Sequence, residues 1–300
     1  MSHVHESAMG SSGAALGLTL TLIFIALVYS RGWLRLRLSL NGIAGWRAAS
    51  FLSGLSLIWI AGASPVAALD EQLLTVHMIQ HLLLMTIAPP LIWLGAPVLP
   101  MLHGLPGRTR TVILQVFGWA PLRHLGMAIT RPVFCWTAAA AALIGWHIPA
   151  AFALGMQSST WHLIEHATFL ATGLLFWWPV IQPWPSAFRQ PGLSIIVYLL
   201  LATFPCDILS GFLVFCDRVV YKSYLYSPRM FELSVLADQE CAGALMWSCV
   251  TIVYLVAAAI LTTKLLSPQL SPQRFSEEPS VKSEWRESAV SSEPESAEVV

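Results

Sequence analysis

Charged side chains are scarce in this sequence of 300 residues: Asp, Glu, Lys and Arg together make up only 11% of it. Soluble domains carry about 25% charged residues, so this deficit excludes an ordinary soluble domain. Apolar residues account for 56%, and the mean hydropathy is well above zero. The composition therefore indicates a polytopic membrane protein.

Paired cysteines and glycine-rich loops are also missing. The sequence has five cysteines but no Cys-x-x-Cys pair, which excludes a zinc ribbon and gives no disulfide framework. No glycine-rich phosphate loop occurs, so nothing in the sequence indicates nucleotide or nucleic-acid binding. The cysteines are interpreted as small apolar packing residues, although a thiolate could also serve a soft metal.

Long apolar runs, by contrast, are abundant. A helix needs about 20 residues to cross the hydrocarbon core of a bilayer, and seven runs are candidates for this length. They lie near residues 13–30, 49–69, 72–95, 132–148, 160–181, 193–215 and 239–266. The sequence therefore predicts an all-α membrane protein with seven transmembrane helices, formed by residues 1–266. Because His3, His5 and Glu6 precede the first run where a signal peptide would be basic, we expect a retained first helix.

The last part of the chain, residues 267–300, differs in composition. It is rich in Ser, Pro and Glu, with seven Glu against three basic residues, and it lacks apolar periodicity. Such a segment cannot bury enough apolar surface to fold. The sequence therefore predicts a disordered acidic tail.

The basic residues are distributed unevenly between the two sides of the predicted membrane domain. Thirteen of the sixteen fall on one side: Arg31, Arg35, Arg37, Arg47, Arg108, Arg110, Arg123, Arg131, Arg189, Lys264, Arg274, Lys282 and Arg286. Only Arg218, Lys222 and Arg229 fall on the other. By the positive-inside rule, we predict the N-terminus outside and the C-terminus and its tail in the cytoplasm.

Five histidines fall at one depth of the predicted domain, within roughly 15 Å of its outer surface. His77 and His81 lie near the outer end of the third span, His147 ends the fourth, and His162 and His166 open the fifth. The i, i+4 spacing within two of the spans places two rings on one helical face, where they can share a metal. We therefore predict one metal site among the two pairs, with His147 close by. For any single histidine, the alternative is a packing role in which the ring bonds a neighbouring carbonyl group.

Further candidate ligands lie in the seventh span. Asp238 is expected near the outer end of this span. There it could bind the metal, or it could orient a histidine ligand by bonding the ring nitrogen that does not bind the metal. Met246 lies two turns deeper, and Met85 continues the stripe of His77 and His81 inward. Imidazole suits copper and zinc, while thioether favours Cu(I). Copper is the expected metal, with zinc as the alternative.

Glu165 stands between the histidines of the fifth span, in the sequence HLIEH. On an ideal helix it points about 60° to one side of His162, so we expect it to support the site or balance its charge. The same five residues match the HxxEH motif, in which two histidines bind zinc and Glu acts as general base. An intramembrane zinc hydrolase therefore stays an alternative.

Two other classes of protein also stay open. A bis-histidine haem protein needs one histidine on each of two facing helices, which would leave the i, i+4 partners unused. The doubled pairs therefore favour a metal ion over haem. A metal-free scaffold, with structural histidines, would contain no stoichiometric metal on purification.

Four stretches of the sequence resemble the signature blocks of a known family. They are HMIQHLLLMTIAPPLIWLGAPVLP from His77, WHIPAAF from Trp146, HLIEHATFLATGLLFWWPVI from His162 and DQECAGALMW from Asp238. Together they look like the CtaG family of seven-helix membrane proteins, which is associated with cytochrome c oxidase assembly in bacteria. The resemblance covers most of residues 50–265 in the family's order. Cys241, Cys249 and Asp207 depart from the family's usual pattern.

The resemblance implies a multi-pass protein of the bacterial cytoplasmic (inner) membrane that helps to mature a copper-containing oxidase. It also implies that the family's histidine pairs correspond to His77, His81, His162 and His166, with His147 and Asp238 in the neighbouring blocks. The implied partners are a cytochrome c oxidase subunit or its copper chaperones, together with the lipid bilayer. We therefore predict a non-enzymatic assembly factor that binds or passes copper through an outward-facing histidine cluster.

Overall fold

The computed structural model describes residues 2–38, 44–181, 192–227 and 233–266, with side chains from residue 13 onward. The regular elements in these ranges are all helical, and no strand occurs in them. The helices are α1 (Ser2–Leu38), α2 (Gly45–Ala63), α3 (Leu74–Leu94), α4 (Val98–Gly104), α5 (Gly107–Gly118), α6 (Ala120–Ile129), α7 (Pro132–His147), α8 (Pro149–Gln157), α9 (Ser159–Ile181), α10 (Gly192–Phe215) and α11 (Val235–Leu266). Two short 3-10 turns, Ala67–Leu69 and Lys222–Leu225, precede α3 and α11.

Five of these helices are long and apolar enough to cross a membrane: α1 from Gly13 onward, α3, α9, α10 and α11. Two bent pairs would each add a span. The helices α7 and α8 meet at a bend of 75°, and α5 and α6 meet at 71°. The all-helical membrane architecture expected from the sequence is confirmed, with five to seven candidate spans in the described ranges. The orientation of the termini stays a prediction.

The candidate spans differ from the predicted set at two places. The helix α2, which lies where the second span is predicted, is not among them, and its 19 residues include Arg47 and three serines. The pair α5–α6 qualifies instead, although the sequence places it in a cytoplasmic loop. No residue of this pair is buried, and Phe117 and Trp119 are exposed. A pair that combines exposed apolar side chains with three arginines is typical of helices that lie in the membrane interface.

Although α2 is not among the candidate spans, it packs inside the helical bundle. The ring of Phe51 on α2 stacks on that of Tyr29 on α1, with centroids 3.9 Å apart. Tyr29 also donates a hydrogen bond of 2.8 Å to the carbonyl of Gly95, just beyond α3. These contacts hold α2 between α1 and α3.

The middle of α3 is irregular and lies very close to α9. Residues Leu83–Ile87 form a π-helical segment just before Pro89 and Pro90, which lack the N–H groups that regular α-helical bonding needs. At this level a Cβ atom on Gly173 of α9 would lie 2.6 Å from the carbonyl oxygen of Met85. Only glycine permits this approach. The close contact fixes the spacing of α3 and α9 one to two turns from their histidines.

The segment between α10 and α11 folds back over the beginning of α3. Tyr224 donates a hydrogen bond of 2.7 Å to the carbonyl of Asp70. The side chain of Gln239 accepts from the N–H of Val220 at 2.7 Å and donates to the carbonyl of Arg218 at 3.2 Å. These contacts gather the starts of α3, α9 and α11 at one end of the bundle, which we call the histidine end.

The orientation predicted from the basic residues can be measured with single cysteines. In a variant without exposed native cysteines, we expect Lys222→Cys to react in intact cells with a maleimide that does not cross membranes. Arg108→Cys should react only after the membrane is opened, because the positive-inside rule places this arginine in the cytoplasm. Labelling of Arg108→Cys in intact cells would put the histidine end on the cytoplasmic side and contradict the prediction.

Some predicted features lie outside the described residues. They are the acidic tail at 267–300, which contains three of the basic residues, and two further basic residues, Arg189 and Arg229. The boundary between membrane domain and tail therefore stays a prediction.

Candidate metal site

Two helices present the four central histidines. His77 and His81 are one turn apart on α3 with ring centroids separated by 4.3 Å, and His162 and His166 on α9 are separated by 4.2 Å. Across the interface, His77 lies 5.5 Å from His162, and His81 lies 5.7 Å from His166. The two pairs therefore face each other, which is the arrangement that the i, i+4 spacing predicts for one shared site.

Glu165 lies directly against the rings of α3. Its Oε1 atom is 3.4 Å from Nε2 of His81 and 3.7 Å from Nε2 of His77, and the carboxylate is only 1% exposed. Two ligands bound at about 2 Å to one tetrahedral ion lie about 3.3 Å apart. The three groups are thus spaced for one ion, and we call them the inner position (His77, His81, Glu165). The sequence predicts that Glu165 supports the site or balances its charge, whereas in the structure it lies among the candidate ligands.

Asp70 brings together a second group of ligand atoms beside the first. Its Oδ2 atom is 3.4 Å from Nε2 of His162, and the ligand atoms of Asp70, His77 and His162 all lie within 4.8 Å of one another. We call this group the outer position. The sequence pattern does not predict Asp70 as a ligand, because this residue lies in the turn before α3, which helical periodicity does not cover. Spacing along a helix gives no signal for Asp70, because the extended residue Leu73 separates it from the helix that carries His77.

Most polar atoms of the cluster have no hydrogen-bond partner among the described residues. They are Nδ1 and Nε2 of His77 and His81, Nε2 of His162 and His166, and both carboxylate oxygens of Glu165. A buried polar atom without a partner costs about 1–3 kcal/mol. A cation bound among these atoms would satisfy several of them at once. The donor set, imidazole nitrogen with one carboxylate, suits copper or zinc.

His147 approaches the cluster from the end of α7. Its Nδ1–H group donates to the carbonyl of Leu143 at 2.7 Å, so in the neutral ring the Nε2 atom carries the free lone pair. That Nε2 atom is buried without a partner, and the ring centroid lies 6.1 Å from that of His81. His147 is therefore oriented like a metal ligand, next to the inner position.

Asp238 does not join the histidines. Its two oxygens accept hydrogen bonds from the N–H groups of Leu74 and Thr75, at 2.7 and 3.1 Å, and from the hydroxyl of Thr75 at 2.6 Å. The structure thus makes Asp238 a cap for the first turn of α3, where N–H groups have no partner within the helix. The sequence predicts that Asp238 binds the metal or orients a ligand, whereas in the structure its carboxylate bonds the start of α3. Asp238 acts on the site indirectly, by fixing the start of the helix that carries His77.

Met246 lies deeper than the histidines, on the wall of a largely apolar cavity. This cavity begins at His81 and His147 and continues past Met85 to Cys206 and Met246. All five side chains are buried. The sulfur-containing side chains that are candidate soft ligands thus line a cavity that extends from the inner position further into the bundle.

Burial changes the pKa of Asp70, the carboxylic acid of the outer position. Removal from water raises the pKa of the Asp70 carboxyl above its usual value, and the nearby His162 acts in the opposite direction. Asp70 lies in the turn before α3. The side chain of Gln80 holds this turn by donating a hydrogen bond of 3.1 Å to the carbonyl of Ala67. A cation beside Asp70 would favour its ionised form.

Comparisons with known proteins agree with the resemblance of the signature blocks. The sequence model of the family described as cytochrome c oxidase caa3 assembly factor matches residues 27–267. Uncharacterized proteins of Mycobacterium bovis and Mycobacterium tuberculosis are each 26% identical over 249 residues, covering 80% of this chain and 37% of those proteins. A relative from Mycobacterium leprae is 25% identical and is covered over 35% of its length. The chain thus spans little more than a third of these relatives, and no solved structure matches it.

Proposed function

The chain belongs to the cytochrome c oxidase caa3 assembly factor family, and from this membership we propose that it supplies copper during maturation of the oxidase. It is a multi-pass protein of the bacterial inner membrane. The observation that carries the proposal is the inner position, where three buried groups from two helices lie at the spacing of ligands of one ion. Their ligand atoms have no other partners among the described residues.

Copper is favoured over zinc by the residues beneath the inner position. A Zn²⁺ ion would be well served by imidazole and carboxylate alone. The cavity below adds two thioethers and a thiol, from Met85, Met246 and Cys206, and these soft groups prefer Cu(I). An ion that is delivered must be released, and a series of ligands of similar affinity suits transfer better than one closed site. Copper is thus the protein's cargo.

The arrangement of Glu165 favours metal binding over hydrolysis. In an HxxEH hydrolase the two histidines of the motif bind zinc, and the Glu between them acts on water. Here Glu165 faces His77 and His81 of the other helix, while His162 of its own motif faces Asp70. The carboxylate therefore takes the place of a ligand, as expected for a non-enzymatic assembly factor.

The partners follow from the predicted orientation. With the histidine end outside, copper would be received from a chaperone and passed to an oxidase subunit on the outer face of the membrane. Nucleic acid has no part in this function. One chain provides all ligands of the inner position, so the site needs no second copy of the protein.

Deletion of the gene tests the function in cells. We expect the activity and the copper content of the copper-containing oxidase to fall, while a copper-free quinol oxidase stays active. Excess copper in the medium should restore part of the activity, because mass action can replace a delivery step. Unchanged copper content of the oxidase in the deletion strain would refute the assembly role.

A further inference from the structure

Exposure of the cluster decreases from the histidine end inward. The side chain of His162 is 27% exposed and that of Asp70 is 7% exposed, whereas His77 and Glu165 are 0% and 1% exposed. An ion arriving from water therefore meets His162 before it can reach Glu165. The outer position borders solvent and the inner position does not.

His77 belongs to both positions. It shares one group of ligand atoms with Asp70 and His162 and the other with His81 and Glu165. Both of its ring nitrogens lack a hydrogen-bond partner among the described residues, so no hydrogen bond has to be broken before either nitrogen binds. We propose that Asp70, His77 and His162 form a loading site, from which a copper ion moves to the inner position while His77 stays bound. This inference rests on the proposed function and adds the path by which the ion arrives.

The transfer is an exchange of ligands without a change of oxidation state. Bonds from the ion to Asp70 and His162 break, and bonds to His81 and Glu165 form. Because His77 is common to both positions, the ion never loses all protein ligands during the step. The short spacing within each group, 3.4 Å between Asp70 and His162 and 3.4 Å between Glu165 and His81, keeps the displacement to a few ångströms.

Charge is balanced at both ends of the transfer. Each position has one carboxylate and two neutral imidazoles, so Cu(I) forms a neutral group in either one. A net charge left in a buried, apolar environment would be costly. The step exchanges which of the two carboxylates is neutralised, so the net charge of the two positions together does not change as the ion moves inward.

Aromatic side chains close the direct route to His77. The ring of Phe152 lies 5.0 Å from that of His77 and 4.1 Å from that of Tyr221. Tyr224 is buried and bonds the backbone of Asp70. The partly exposed side of His162 is therefore the one from which an ion can approach, which makes the outer position the first to be occupied.

The rate of copper loading tests this path. The full-length protein, purified without a polyhistidine tag and placed in lipid nanodiscs, is mixed with Cu(I) under reducing conditions. A water-soluble Cu(I) chelator then removes unbound ion at successive times, and bound copper is measured. We expect Asp70→Asn to lower the initial rate about tenfold or more, because its carboxylate attracts the cation, but to reach the same final copper content. Glu71→Gln, a change of an exposed acid in the same turn, should load at the normal rate.

The possible results separate the loading path from the proposed function. If Asp70→Asn loads at the normal rate, or if it retains no copper at equilibrium, the loading site is refuted although copper binding stands. If the unchanged protein binds no copper, the proposed function itself fails. Should Asp70→Asn fold poorly in a melting experiment, His162→Gln is the second variant. It must show the same slow loading and normal final content, and any other result overturns the proposal.

Discussion

Replacing His77 with alanine is expected to abolish copper retention and, with it, maturation of the oxidase. His77 is the one residue common to both positions, so its loss removes a ligand at every stage of binding. We expect the affinity for Cu(I) to fall at least about 100-fold, equivalent to ~2.8 kcal/mol. The measurement is a competition with a chelator of known affinity on the purified protein, together with the copper content of the oxidase in cells.

The stability of the copper-free protein should change much less than the affinity. Removing the ring leaves a cavity, which destabilises the fold, but it also removes two buried nitrogens that have no partner. Copper should raise the melting temperature of the unchanged protein by mass action and should not raise that of His77→Ala. His124→Ala, at an exposed histidine of α6, is the matched control and should bind copper normally. If His77→Ala keeps its copper, other residues hold the ion and the assignment of His77 to both positions is wrong.

The pairing of the histidines could be predicted because it depends on helical spacing alone. Residues at i and i+4 share a face whatever the neighbouring helices do. The position of Glu165 depends in addition on how α9 is rotated against α3, and that rotation is set by the contact of Gly173 with Met85. Nothing in the local sequence around Glu165 contains this information, so its direct contact with His77 and His81 appeared only in the structure.

The positions of Asp238 and Asp70 could not be predicted from helical spacing. In the sequence, Asp238 resembles a ligand because it is an acid at the depth of the histidines. In the structure, its carboxylate instead accepts hydrogen bonds from the first N–H groups of α3. Asp70 shares no helical face with the histidines in the sequence, yet Tyr224 and Gln80 bond the backbone of its turn, and its carboxylate lies beside His162. Both outcomes depend on contacts between segments more than 10 residues apart. Spacing within one helix cannot predict them.

Length and apolar content predicted most of the membrane spans. They failed for helices whose burial in the bundle does not follow from their apolar content. The helix α2 does not qualify as a candidate span, but it contributes Phe51 and Ile58 to the core. The pair α5–α6 is apolar enough to qualify, but none of its residues is buried. Hydropathy alone does not distinguish a helix inside a bundle from one that lies at the membrane surface.

Replacing Gly173 with alanine is expected to disrupt the metal site although no candidate ligand is changed. The added Cβ atom would lie 2.6 Å from the carbonyl oxygen and 2.8 Å from the Cα atom of Met85. Both are backbone atoms, so no side-chain rotation can relieve the overlap, and α3 and α9 must separate by about 0.5–1 Å. Ligand atoms must lie within about 0.2 Å of ideal metal–ligand distances. A site with His77 and His81 on one helix and Glu165 on the other cannot tolerate that separation.

We therefore expect Gly173→Ala to weaken Cu(I) binding about 10- to 100-fold, the range found when the support of metal ligands is lost. Overpacking of this kind costs about 1–3 kcal/mol of stability, so the melting temperature should also fall. Gly145→Ala on α7 is the matched control, because its Cβ atom would meet nothing within 4 Å, and it should bind copper normally. The double variant with Met85→Ala should not recover binding, because the clash involves the backbone of Met85. Wild-type affinity in Gly173→Ala would mean that the spacing of α3 and α9 does not determine the site.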